Sequence, residues 1–299
     1  MIIPIQQQID TIISDTKKKM GISTGIKSLD EAILGLRPAH LYMIGGYSGL
    51  GKTSIATDIM LAAAKEIPVA FLSLEMGINL IVERMVYNVA DINYHAGISK
   101  RLEKSDEQDL KKATMYIKGL KNIYIDEKSR TLYPSWLLEK ESPKDSMELA
   151  IMEYFKEGCK LIIIDYIQIV EWGFKNETET LRLKQITGKL HNLAVELNIP
   201  IVCLAQLKKE SGDKKEDMTP TLSSIRDSGF LINDSDVILL LHRPEYFRPK
   251  HGLDLFSNYI EDAQIIIAKA RNGPIGTINV KFHGYAMSWK DTESRNEEI

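Results

Sequence analysis

Gly46, Gly51, Lys52 and Thr53 fit the spacing G-x-x-x-x-G-K-[ST] inside the stretch IGGYSGLGKTS, residues 44 to 54. Residues of these types in this order do one kind of chemistry. Glycines without a Cβ let backbone N–H groups close around phosphate oxygens, and the helix that follows adds its positive end. Lys52 is placed to neutralise the terminal phosphates and Thr53 to ligate Mg²⁺. The expected occupant is a nucleoside triphosphate, held by Gly46, Ser48, Gly49, Gly51, Lys52, Thr53 and Ser54. A glycine-rich turn that merely caps a helix is the plainer alternative. An apolar run before the motif and a helical pattern after it favour the phosphate pocket.

A magnesium nucleotide also calls for a carboxylate. LIIIDY supplies Asp165 after four apolar residues, where it can hold a magnesium-bound water; capping the next helix is the plainer role for an aspartate standing alone. Hydrolysis further needs a group to orient or deprotonate water, and Tyr166 follows Asp165, so no adjacent glutamate can serve. In VAFLSLEM, Glu75 lies at the C-terminal end of the strand after the phosphate-loop helix, on the sheet edge where ligands bind in such folds. Gln206 closes IPIVCLAQ in the same way and could sense the γ-phosphate by hydrogen bonding. Taken alone, it reads more plainly as a solvated strand end.

The elements that must position these groups are short β-rich runs alternating with helical patterns. The runs are HLYMIGG, VAFLSLE, NIYIDE, LIIIDYIQIV, IPIVCLAQ, DVILLLHR, AQIIIAKA and TINVKF; residues 52 to 65 and 180 to 197 are among the helices. Several runs are apolar throughout, as parallel strands buried on both faces require. The last two are joined by RNGPIG, which predicts an antiparallel hairpin at one edge. Lys269 and Arg271 stand two residues apart before that turn, so both point to one face as paired cations; an exposed, solubilising hairpin is the alternative.

Ahead of this body, Ile5, Ile9, Ile12 and Ile13 recur at helical spacing behind Pro4, which predicts an amphipathic helix over residues 4 to 20 and a boundary near residue 20. Gly21, the STG of 23 to 25 and the SLD of 28 to 30 read as a connector into the main domain, 21 to 299. The mixed charges of KKESGDKKED, 208 to 217, predict a mobile loop.

Composition sets outer limits. At 44% hydrophobic and 26% charged the chain is ordinary for a globular protein, and its net charge of -3 confines any nucleic-acid contact to a local patch. MIIPIQQQID lacks the basic start of a signal peptide, and no apolar run approaches the roughly 20 residues of a membrane helix, so no membrane association and a cytoplasmic location are expected. Cys159 and Cys203 have no metal-ligand spacing and read as core residues.

Together GYSGLGKTS, FLSLEMG, LIIIDYIQIV, IVCLAQL, LSSIRDSGFLINDSDVILLLHRPEYF and AKARNGPIG resemble, in order and number, the C-terminal motor domain of DnaB-like replicative helicases over about residues 22 to 290. The resemblance implies an α/β fold with a RecA-like P-loop NTPase core: a mostly parallel twisted sheet, helices on both faces and an antiparallel edge hairpin. It implies ATP and Mg²⁺, water activation by Glu75, and γ-phosphate sensing by Gln206. Arg84, in NLIVERM, matches an arginine near the nucleotide, and the family's lysine and arginine finger fall on Lys269 and Arg271. A site completed by a neighbour implies head-to-tail contacts that close into a ring, a hexamer in this family. The leading helix then has the adjacent motor domain to dock on, with its own domain an equal candidate on sequence alone.

In IRDSG the resemblance implies a pore loop that touches single-stranded DNA. Arg226 supplies a guanidinium for phosphate, Asp227 orients the loop and Gly229 allows close approach; a surface ion pair of Arg226 with Asp227 is the alternative. The implied activity is ATP-dependent 5′ to 3′ translocation and duplex unwinding at a replication fork in a bacterial or phage-infected cell, with a helicase loader as a further partner. The family's N-terminal domain, which recruits primase and forms a collar, has no counterpart here, which weighs against primase as a partner. Gly188 and His191 stand where many relatives carry arginine and lysine, and residues 127 to 147 look longer than usual, with no function assigned. The rival reading, from another class, is a nucleotide-gated RecA-like ATPase ring that binds DNA or a partner without unwinding.

Overall fold

Apolar strands with no polar alternation have no face to offer to water, so they assemble in the middle of a sheet covered on both sides. The computed structural model describes Ile5 and residues 20–134, 146–173, 178–208, 218–225, 229–247 and 257–292. Along the chain the strands are β1 (Leu41–Gly46), β2 (Val69–Ser73), β3 (Ile123–Asp126), β4 (Thr131–Leu132), β5 (Leu161–Asp165) and β6 (Glu171–Trp172). They continue with β7 (Ile201–Gln206), β8 (Val237–His242), β9 (Ile260–Ala270), β10 (Gly276–His283) and β11 (Ser288–Asp291). β4 and β6 pair with each other; the remaining strands form one nine-stranded sheet in the order β11-β10-β9-β8-β1-β7-β5-β2-β3. From β8 to β3 every pairing is parallel, whereas β8–β9, β9–β10 and β10–β11 are antiparallel. The predicted hairpin is β9–β10. The outermost position belongs to β11, a strand absent from the sequence reading.

The described helices are α1 (Lys27–Ile33), α2 (Lys52–Ala63), α3 (Ile78–Ala90), α4 (Tyr94–Ile98), α5 (Lys104–Gly119), α6 (Met147–Lys156), α7 (Glu179–Leu197) and α8 (Gly229–Asp234). Successive strand residues point to opposite faces, so each apolar run feeds two cores. Tyr42, Ile44, Phe71, Ile163 and Val202 pack with Ile55 and Ile59 of α2 and Ile81 and Met85 of α3. Met43, Leu72, Ile164, Cys203 and Leu240 pack on the other face with Met147 and Ile151 of α6 and Ile186 and Leu190 of α7. α7 begins where Thr178 accepts the Leu181 N–H at 3.3 Å and ends at Asn198, whose φ of 52° stops the helix.

The predicted connector is instead part of the body. Ile26 and Leu29 are fully buried, and Asp30 accepts the Thr24 N–H at 2.8 Å, the Thr24 hydroxyl at 2.7 Å and the Ser23 hydroxyl at 2.6 Å. One carboxylate thereby folds a polar, linker-like stretch onto α1. The predicted leading helix, apart from Ile5 and Met20, lies outside the described residues, as do residues 209–217 of the charged loop and residues 135–145 of the long 127 to 147 segment. Cys159 and Cys203 are buried and free. No helix among the described residues is long and apolar enough to cross a membrane.

Candidate nucleotide site and its distant cations

Parallel strands deliver their C-terminal ends to one edge, and there β1, β2, β5 and β7 place the candidate residues. β1 runs into the phosphate loop and α2 begins at Lys52. Gly49 and Gly51 have φ of 80° and 90°, which glycine takes without strain. Space demands glycine too, since a Cβ on Gly49 would strike the Tyr246 hydroxyl and one on Gly51 would crowd Phe282 and Trp289 at 3.0 Å. Trp289 Nε1 donates to Gly51 O at 3.0 Å, and Arg243 Nη1 donates to Gly49 O at 3.2 Å. Arg243 is itself buried, paired with Glu261 and stacked 3.8 Å from the centroid of the Phe282 ring. Arg243, Tyr246, Phe282 and Trp289 therefore shape the loop from outside, and sequence reasoning selected none of them.

Lys52 is 9% exposed and donates to Gly46 O at 3.0 Å and Tyr47 O at 3.2 Å. Burial pulls its pKa below the usual lysine range, opposed by the charges of Asp165 and Glu75. Of the loop's other predicted ligands, Ser48 and Gly49 are exposed and Ser54 is buried. Thr53 Oγ1 donates to Asp165 Oδ2 at 2.7 Å. Asp165 is 1% exposed, and its Oδ1 has no hydrogen-bond partner among the described residues. Desolvation pushes this carboxyl up to about 6, against the Thr53 hydrogen bond and with help from the Glu75 charge.

A buried carboxylate with a spare oxygen beside a threonine hydroxyl suits a hard cation with oxygen ligands. Mg²⁺ usually takes one or two carboxylates and completes its shell with phosphates and water. The residues fit that pattern: the Thr53 hydroxyl and the unpartnered Asp165 Oδ1 are oxygen donors, one of them a carboxylate, that leave the rest of the shell to phosphates and water.

Leu74 N donates to Asp165 O at 2.8 Å, which fixes the chain just before Glu75. Glu75 is exposed and near enough to Lys52, Asp165 and Tyr166 to act on the charge of each. Arg84, on α3, is part-buried; its charge reaches Asp165 and its Nε has no partner among the described residues. Gln206 ends β7 opposite Gly46. Its backbone is clamped by a residue that sequence reasoning missed: Gln168 Nε2 donates to Gln206 O at 3.0 Å and Gln206 N donates to Gln168 Oε1 at 3.1 Å. The β5–β7 pairing stops at Ile164 and Cys203, so this side-chain amide takes over where the two backbones part. A lone amide inside YIQIV was the available signal.

Lys269 and Arg271 sit elsewhere. Val237 pairs with both Tyr42 and Ala270, so Arg271 lies by the start of β1, whereas the phosphate loop follows its end. At roughly 3.3 Å per residue, the 6 residues of β1 put about 20 Å between the two places, beyond the reach of an arginine side chain. Lys269 Nζ donates to the carbonyls of Ile232, Asn233 and Ser235 at the end of α8, and Arg271 Nη1 meets Asp236 Oδ1 at 2.8 Å. The fold thus gathers Lys52, Thr53, Glu75, Arg84, Asp165 and Gln206 and keeps Lys269 and Arg271 away from them. Gly229 opens α8; Arg226 and Asp227 lie outside the described residues.

A phosphate loop between β1 and α2, a carboxylate at the end of β5 and this strand order define a P-loop NTPase with a RecA-like core. The model of the DnaB-like helicase C terminal domain matches residues 21–291, and the chain belongs to that family. The replicative DNA helicase DnaB of Buchnera aphidicola subsp. Baizongia pistaciae (strain Bp) is 33% identical over 269 residues, 89% of this chain and 54% of that protein. The probable plasmid replicative DNA helicase of Chlamydia psittaci is 31% identical over 265 residues, with 88% and 54% covered. Among solved structures, one ATPase domain matches with a TM-score of 0.81 and 25% identity over 97% of this chain and 99% of that one. A DnaB-like replicative helicase, described with its interactions with primase, matches with a TM-score of 0.81 and 25% identity over 98% of this chain and 69% of that one. The chain spans about half the length of the curated relatives it matches.

Proposed function

We propose that this chain is the motor of a ring-shaped DNA helicase that hydrolyses ATP, travels 5′ to 3′ on single-stranded DNA and unwinds duplex at a replication fork. The observation that carries the reading is the separation of two cation groups within one chain, Lys52 in the phosphate loop and Lys269 with Arg271 at the far end of β1. Cations that cannot reach their own nucleotide suit another chain's, and head-to-tail contacts of that kind close into rings by rotation. The proposed assembly is a homo-hexamer.

In each site the phosphate loop, with Ser48 and Ser54, cradles the triphosphate, and Lys52 and Arg84 balance its charge. Thr53 and Asp165 hold the metal, Glu75 takes a proton from the attacking water and Gln206 senses the γ-phosphate. Mg²⁺, when bound, neutralises charge on the phosphate oxygens. Arg271 of the next subunit, with Lys269 beside it adding positive charge at longer range, stabilises the charge that develops on the transferred group. Arg226, Asp227 and Gly229 meet the DNA backbone, where repetition around a ring multiplies weak contacts in a chain of net charge -3. Residues 1 to 20 serve as a linker and 21 to 299 as the motor, working in the cytoplasm with a loader as a further partner. The longer solved neighbour, of which this chain covers 69%, is the one described with its interactions with primase.

A forked duplex tests the reading. Strand separation that needs ATP and Mg²⁺ and is lost with Lys52→Ala is the expected result. Hydrolysis of ATP with no separation would assign the chain to a nucleotide-gated switch instead.

A further inference from the structure

Asp236 is 3% exposed and sits beside the start of β1. Its carboxylate is a meeting point: Leu41 N donates to Oδ2 at 2.9 Å, His191 Nε2 stands 3.6 Å from Oδ2, and Arg271 Nη1 meets Oδ1 at 2.8 Å. The main chain adds further ties, because Asp236 N donates to Leu41 O at 2.9 Å and Arg271 N donates to Asp236 O at 2.8 Å. Backbone bonds thus fix the carboxylate to the sheet, while the Arg271 side chain is 51% exposed.

The two cations of this region differ in what they have left to give. A lysine ammonium has three donors, and Lys269 has three carbonyls around it. A guanidinium has five donors in a planar fork, and the contact with Asp236 engages one side of it. Arg271, half-exposed, also lines a pocket shared with Arg37, His40 and Asn272.

We propose that Asp236 is a positioning residue: its buried carboxylate holds one edge of the Arg271 guanidinium so that the other edge is presented, already oriented, to the triphosphate of a neighbouring copy of this chain. The inference rests on the reading of Arg271 as a group that acts across a subunit seam. Its physical basis is preorganisation. A long side chain held in one geometry beforehand does not lose that freedom when it meets a phosphate, and a fork with one edge occupied offers a defined second edge. His191 occupies the side of Oδ2 and leaves Oδ1 to the arginine.

The test is a double-mutant cycle on the full chain, reading kcat and KM for ATP hydrolysis in Asp236→Asn, Arg271→Ala and the double variant. Asparagine keeps an oxygen for the Leu41 N–H and removes the charge. Asp236→Asn alone is expected to lose about tenfold in kcat with KM nearly unchanged, and to cost less than about twofold when added to Arg271→Ala. Equal losses in both backgrounds, or undiminished kcat in Asp236→Asn, would overturn the positioning role while leaving Arg271 its own. Undiminished kcat in Arg271→Ala would overturn the seam reading itself, and the positioning role with it. Should Asp236→Asn fail to fold, Arg271→Lys takes its place, because one ammonium cannot offer two separate edges. It is expected to fall to the level of Arg271→Ala, and wild-type kcat there would contradict the proposal.

Discussion

Thr53 Oγ1 and Asp165 Oδ2 stand 2.7 Å apart, a phosphate-loop hydroxyl donating to a carboxylate 112 residues further along the chain. The contact joins the two proposed metal ligands and leaves Asp165 Oδ1 buried with no partner among the described residues. That arrangement has a thermodynamic signature in the nucleotide-free chain. Burial raises the Asp165 carboxyl from 3.8 to about 6, and that of Asp58, carried by α2 against Asn88 and β11, from 3.8 to about 7. Between the unfolded and folded values the native chain holds protons that the unfolded chain has released, so stability falls as pH rises through that window. Thermal melts are expected to decline from pH 5 to pH 8. Asp165→Asn, which keeps an acceptor for Thr53 and removes the charge, is expected to stabilise the chain at pH 8 by on the order of 2 kcal/mol while abolishing hydrolysis. A melting temperature indifferent to pH across this range would count against the buried, ionised carboxylate.

Gln168 offers a second test, since both of its side-chain hydrogen bonds go to the backbone of Gln206. Gln168→Leu keeps similar bulk and removes both bonds. Turnover is expected to fall about tenfold with nucleotide affinity unchanged, the pattern of an interaction that matters only in the transition state. Weaker nucleotide binding at constant kcat would show the clamp serving the ground state instead.

Trp289 is a built-in reporter. It is 2% exposed and donates to Gly51 O, so phosphates entering the loop alter its surroundings. Its fluorescence is expected to change with ATP, and Trp289→Phe to remove that change and weaken nucleotide binding about fivefold, the worth of one neutral hydrogen bond of about 1 kcal/mol. An equal fluorescence response in Trp289→Phe would place the signal elsewhere.

The pocket was legible in the sequence because each part is local: a glycine-lysine turn between a strand and a helix, then single polar residues ending apolar runs at Glu75, Asp165 and Gln206. What escaped was set by distance along the chain. Gln168 meets Gln206 across 38 residues, Arg243 meets Gly49 across 194 and Trp289 meets Gly51 across 238, and no local period encodes such pairs. β11, with the sequence SWKD, carries a single large apolar residue and so presents no apolar run to register. The stretch 21 to 30 has a linker's composition, yet Asp30 collects its polar hydrogens and Ile26 and Leu29 anchor it in the core. Lys269 and Arg271 read as a pair on one strand face, but Arg271 falls one residue past the end of β9, and their holders, Ser235 and Asp236, were not legible.

Arg271 is proposed to work on a nucleotide other than its own chain's. Hydrolysis per subunit, followed against protein concentration with molar mass measured by light scattering in the same samples, tests it most directly. Turnover is expected to collapse on dilution as assemblies give way to single chains, each left without a neighbour's Arg271. Single chains hydrolysing ATP at the full rate would contradict it.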